Sequence, residues 1–119
     1  MNCAFAFTHY LRDDAVYWAP PTIGAYGTRT FATGVSRESK WFDRADVFRK
    51  PTGEEATSSA VVLLAEDVVV GGYLWRGSIL SLSEEQRTTP LSIDGARRIE
   101  AFEKTEVLSG GRIVRRVWL

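Results

Sequence analysis

The sequence predicts an all-β domain, a mostly antiparallel barrel or sandwich with long loops and at most a short helix. Turn-forming residues recur about every eight to twelve positions, with β-branched and aromatic residues between them, which is the spacing of short strands. Val61, Val62, Leu63 and Leu64 form an unbroken apolar run, so that strand is expected to be covered on both faces. Gly71 and Gly72 stand side by side inside an apolar pattern and predict a bulge or sharp bend where the sheet coils. At 119 residues the chain fits one domain with one core.

Taken in order, residues 1–12 are expected to form a flexible arm. Phe7, Tyr10 and Leu11 stand at helical spacing and would give it one amphipathic turn. The arm lacks the basic region and long apolar stretch of a secretion signal, and no apolar run reaches the length of a membrane span. Ala15 to Ala19 is the first strand, closed by Pro20 and Pro21, which cannot donate to a ladder. Thr22 to Arg29, with two glycines, reads as a loop. Gly34 to Asp43 reads as a second strand with mixed faces, exposed or edge-like over part of its length.

Pro51, Thr52 and Gly53 make a turn, after which Thr57 to Ala65 is the most buried strand. Val68 to Val70 resume the apolar pattern before the glycine pair. Ser78 to Pro90 loses periodicity and is a long loop; the whole stretch 78–97 is expected to be irregular, with Asp94 capping a brief helical turn through Ala96 to Ile99. Ile99 to Leu108 and Arg112 to Leu119 then form a terminal hairpin around Ser109, Gly110 and Gly111. Val62, Leu64, Val68, Val70 and Ile113 are the expected core.

Several chemistries are disfavoured. Fifteen basic residues balance fifteen acidic ones, so no overall field draws the chain to nucleic acid. Arg112, Arg115 and Arg116 are a local exception: either a solvated strand face or a patch that meets an acidic partner or lines a DNA channel. Cys3 is the only cysteine and His9 the only histidine, so one chain forms neither a disulfide nor a cysteine–histidine zinc cluster. The acid pairs Asp13–Asp14, Glu54–Glu55 and Glu84–Glu85 have the character of solvated turns rather than of a general acid and base. The glycine pair has no lysine and hydroxyl partner for a phosphate. No enzyme activity, cofactor, metal or membrane contact is expected.

Candidate contact residues come from loops and aromatics. Trp18, Trp41 and Trp118, with Tyr17 and Tyr73, read as core fillers. Trp75 is the exception, since it ends a strand directly before Arg76 and Gly77, where a side chain can sit on a rim and anchor a partner. Tyr26 in the first loop, and Ser83, Glu84, Glu85 and Arg87 in the second, complete the candidate interface. At least one of these loops is expected to be mobile in the isolated subunit and to order against a partner, and deleting Ser81 to Thr88 is expected to leave the subunit folded.

Four motifs occur in order: DDAVYWAPP with a glycine-containing loop after it, KWFDRADVF, SSAVVLLAEDVVVGGYLWRG, and GARRIEAFEKTEVLSGGRIVRRVWL. In that order and spacing the chain resembles the head-closure proteins of tailed bacteriophages, also called stoppers or head-to-tail joining proteins. Lys40 and Glu106 depart from the pattern, where a small or sulfur-containing residue and a proline are usual. The resemblance implies a small, mostly antiparallel β-barrel that forms a ring, dodecameric or hexameric, beneath the portal or its adaptor. It also implies docking of a tail or tail-completion protein, DNA only in transit through the channel, and a place at the head–tail interface of the virion after a period in the host cytoplasm. The alternative is a stand-alone β-barrel module for a peptide or single-stranded nucleic acid. Such a nucleic-acid face would interleave aromatic and basic residues, a pattern only Arg112 to Trp118 approaches.

Overall fold

The computed structural model describes residues 13–107 and 112–119. The expectations for the arm, including Cys3, Phe7, His9, Tyr10 and Leu11, and for the Ser109–Gly111 turn lie outside the described residues. The fold is all-β. Its strands are β1 (Asp13–Trp18), β2 (Thr22–Ile23), β3 (Arg29–Thr30), β4 (Val35–Phe42), β5 (Asp46–Arg49), β6 (Glu55–Ser58), β7 (Val61–Leu64), β8 (Tyr73–Arg76), β9 (Arg97–Arg98), β10 (Ala101–Val107) and β11 (Arg112–Trp118). Seven of them make one sheet in the order β10-β11-β7-β4-β1-β8-β9, and two separate hairpins, β2–β3 and β5–β6, complete the fold. Every pairing is antiparallel.

The sheet curls because its two edge strands are consecutive in the chain. Ile99 donates its N–H to Gly72 O at 2.8 Å and accepts from Gly71 N at 3.0 Å, whereas the next residue, Glu100, donates to Trp118 O at 2.9 Å. The backbone thus changes partner from the β8 side to the β11 side within two residues, tying the edges of a half-barrel together. Gly72 permits this approach: a Cβ there would stand 2.4 Å from Trp18 O. The glycine pair therefore makes the tight turn expected of it, with Gly71 at φ +95°.

Alternation along the strands sends side chains to three apolar clusters. Ala15, Tyr17, Trp41, Val62, Leu64, Leu74, Ile99 and Val117 fill the inside of the curl. Val16 and Trp18 point outward and are covered by Phe31, Leu82 and Ile93. Val61 and Trp118 point outward at the other side, beneath Phe48 of β5 and against Ala101. The apolar run at Val61–Leu64 is thus covered on both faces, as expected.

Several elements differ from expectation. Thr57 to Ala65 is two strands rather than one, broken at Ser59–Ala60, where both residues bond to Leu119 backbone; β6 leaves the sheet to pair with β5. The Thr22–Arg29 loop is a hairpin, turned by the Gly24 N–H to Thr28 O bond at 2.8 Å and by Gly27 at φ +76°. Asp94 caps no helix, because Gly95 adopts φ +89° and Arg97 and Arg98 pair with Leu74 and Tyr73. Val68 is buried, but Val70 is only partly so and Val69 is exposed; Val69 opens a turn closed by the Gly72 N–H to Val69 O bond at 3.1 Å, and its own N–H donates to the Tyr17 hydroxyl at 2.9 Å. Ile113 is half-buried because β7 ends at Leu64 opposite Arg115, leaving Ile113 beyond the third strand. No helix among the described residues is long and apolar enough to cross a membrane.

Candidate docking surfaces

Three of the four tryptophans are core fillers, each with its indole N–H satisfied. Trp18 donates to Arg87 O at 2.7 Å, Trp41 to Ser39 Oγ at 3.0 Å and Trp118 to Asp46 Oδ2 at 3.1 Å. Ser39, fully buried, passes the chain on by donating to Asp13 O at 2.9 Å. Such pairing is the condition for placing an indole in an apolar interior.

Trp75 is half-buried and packs on the outer cluster with Val16 and Trp18. Its ring lies over Gly77, where a Cβ would come within 2.5 Å of it. With Arg76 it lines a small cleft that also includes Trp41 and Arg97. The Arg76 guanidinium stands 3.8 Å from Asp13 and 3.6 Å from Asp43, and Asp13 Oδ2 also accepts from the Trp41 backbone N–H at 3.1 Å. Asp13 is therefore a structural acceptor at the rim. Trp75 and Arg76 share one place on the surface, but both are already engaged by the fold.

The segment after β8 is a lid rather than a free loop. It forms three single 3-10 turns, Ile79–Ser81, Gln86–Thr88 and Pro90–Ser92. Ser83 and Gln86 cap each other: the Ser83 N–H donates to Gln86 Oε1 at 2.9 Å, and Ser83 Oγ accepts from the Gln86 N–H at 3.2 Å. Arg87 contributes its carbonyl, which accepts from the Trp18 indole and from Gly34 N, each at 2.7 Å. Leu82, Pro90 and Ile93 are buried, while Glu84 and Glu85 stay exposed. The expectation that little core lies in Ser81–Thr88 is corrected: its removal strips Leu82 from Trp18 and leaves that indole without its acceptor.

Tyr26 is the candidate with least structural use. It sits at the tip of the β2–β3 hairpin, 98% exposed, and neighbouring Ile23 is 72% exposed. Fold and lid thus bring Trp75 near the lid, while Tyr26 projects on a separate hairpin.

Of the C-terminal arginines, Arg115 is ion-paired in place, and the side chain of Arg112 lies outside the described residues. Arg115 and Lys104 both bridge Asp67, the latter at 3.1 Å. The Arg115 hydrogen bond foremost, and then that of Lys104, hold the Asp67 carboxyl below its ordinary value. Arg116 lies over the Trp118 ring at 5.9 Å and opposite Glu103 in the hairpin register. Arg115 is thus not free, while Arg116 stays exposed on the strand face. Among the described residues no three histidine, cysteine or acidic side chains are grouped to hold a metal ion.

One surface escaped the sequence reading. A cleft of about 410 Å³ opens between the β2–β3 hairpin and the turn before β8, walled by Pro20, Pro21 and Ile23 and floored by Val70 and Tyr73. Arg29 and Arg98 flank it. Its parts lie far apart in sequence and meet only because β9 pairs with β8 as the sheet curls. No family model, curated protein or solved structure matches this chain.

Proposed function

We propose that this chain is a structural protein of a tailed phage or prophage, a head-closure connector that docks beneath the portal or adaptor and joins the DNA-filled head to the tail. What carries the reading is the ordered set of four sequence motifs. Each includes a strand of the one curled sheet: the first β1, the second the end of β4 (followed by β5 of the separate hairpin), the third β7 and β8, the fourth β9 to β11. The motifs are thus elements of one framework rather than scattered matches. A framework of this size leaves its turns and hairpins to make contacts, which suits a subunit of a ring, dodecameric or hexameric, through which DNA passes. Ring formation needs two different patches on each subunit, and the exposed hairpin tip and the rim near Arg76 supply candidates at separate places. In the virion the protein sits at the head–tail interface, and before assembly in the host cytoplasm.

The test is genetic. In a phage encoding this chain, loss of the gene should give heads that fill but leak DNA, with unattached tails in the same lysate, and supply of the protein in trans should restore joining. Intact tailed particles formed without it would overturn the proposal.

A further inference from the structure

The cleft beside the β2–β3 hairpin sets two arginines beside an apolar lining. Four other arginines are bridged, Arg37 to Glu66, Arg49 to Glu55, Arg76 to Asp13 and Asp43, and Arg115 to Asp67, while Arg44 and Arg116 lie over aromatic rings. Arg29 and Arg98 have neither an ion-pair nor a hydrogen-bond partner for their side chains among the described residues, and no carboxylate lines the cleft between them. Two uncompensated guanidinium groups beside an apolar lining of Pro20, Pro21, Ile23, Val70 and Tyr73 leave the cleft complementary to a ligand both anionic and apolar. The adjoining exposed Ile23 and Tyr26 extend the apolar strip along the hairpin.

We propose that this cleft is a docking groove for an extended segment of a partner protein, one that carries an apolar side chain beside one or more carboxylates. The apolar side chain would fill the space over Val70 and Tyr73, and the carboxylates would meet Arg29 and Arg98, whose planar forks suit bidentate pairing. Nucleic acid fits less well. Only two cations are present, the chain as a whole is neutral, and proline and isoleucine form the wall where phosphate binding needs a continuous basic track. The groove stands on its own chemistry and does not require the connector reading.

The test pans a library of short random peptides on the full chain and on the double variant Arg29→Glu/Arg98→Glu. Both arginines are exposed and unpartnered, so the double variant should keep the parent melting temperature. Enriched peptides should carry Asp or Glu next to an apolar residue, should shift the amide resonances of Ile23, Val70 and Tyr73, and should bind the double variant about tenfold more weakly or worse. Ile23→Asp, a change at an exposed position, should weaken the same peptides. Failure of any peptide to enrich, or enriched peptides that bind the double variant unchanged, would overturn the proposal. So would an oligothymidine of similar length that perturbs the same resonances when the peptides do not, since the groove would then be a nucleic-acid site.

Discussion

Leu82 and Leu80 stand two residues apart beside the same 3-10 turn, and replacing each by alanine distinguishes a packed lid from a loose loop. Leu82 is 6% exposed and packs in one cluster with Val16, Trp18, Phe31 and Ile93, whereas Leu80 is 84% exposed. Truncating a buried leucine costs the transfer of its lost carbons plus the cavity left behind. Because the lid lies at the surface and can settle into the space, Leu82→Ala should cost about 2–3 kcal/mol, near the lower end for such changes. Leu80→Ala should stay within about 0.5 kcal/mol of the parent.

For a chain of 119 residues, an unfolding entropy of about 2.1 cal/mol/K per residue turns each kcal/mol into roughly 4 °C of Tm. Leu82→Ala should therefore melt about 8–12 °C below the parent and Leu80→Ala less than about 2 °C below it. Urea titrations followed by circular dichroism and tryptophan fluorescence give the same comparison at fixed temperature. An unchanged m-value would locate the effect in the native state. If Leu82→Ala lay within the error of Leu80→Ala, Leu82 would not be packed on Trp18, and the lid would be a mobile segment after all.

Asp67 gives a pH prediction: Arg115 and Lys104 depress its pKa, so their contribution is present above the ordinary carboxylate value of 3.8 and lost as pH falls through the lower folded-state value. Urea midpoints measured from about pH 6 down to pH 2 should show Asp67→Asn with a shallower acid decline than the parent, and parallel declines would remove Asp67 as a contributor. Gly72→Ala should destabilise by about 1–3 kcal/mol through overpacking, because the new methyl meets Trp18 O at the point where the sheet edges join. A thermal melt matching the parent would show that this junction yields easily.

Legibility followed the physics of each signal. β1 could be read because Pro20 and Pro21 stop it, and β10 and β11 because two long β-prone runs flank the residues Ser109, Gly110 and Gly111. The buried β7 was legible as an unbroken apolar run. β5 was not, since Val47 and Phe48 are too few to show a period and Val47 faces solvent. The lid was missed because single 3-10 turns have no repeating apolar stripe; Leu82, Pro90 and Ile93 anchor it at irregular spacing. Its one local sign was the Ser83-to-Gln86 spacing of a reciprocal cap. In the candidate surface, Tyr26 was legible as an aromatic between turn glycines. Arg29 and Arg98 were invisible as a pair because only closure of the curl puts them beside one cleft.

The lid and the β5–β6 hairpin each cover an outward apolar face, so neither is free to be remodelled without uncovering Trp18 or Trp118. The β2–β3 hairpin carries no such duty: both its strands are exposed, and its tip closes through backbone bonds among Gly24, Gly27 and Thr28. Elements with few buried contacts open at small free-energy cost, and they are where docking-coupled ordering is drawn from. Changes at Tyr26 can thus be read as effects on contact, whereas loss of Ser81–Thr88 mixes lost contact with a damaged fold. If docking requires a segment to adapt to a partner, the hairpin beside Arg29 and Arg98 is, among the described residues, the one this fold leaves available.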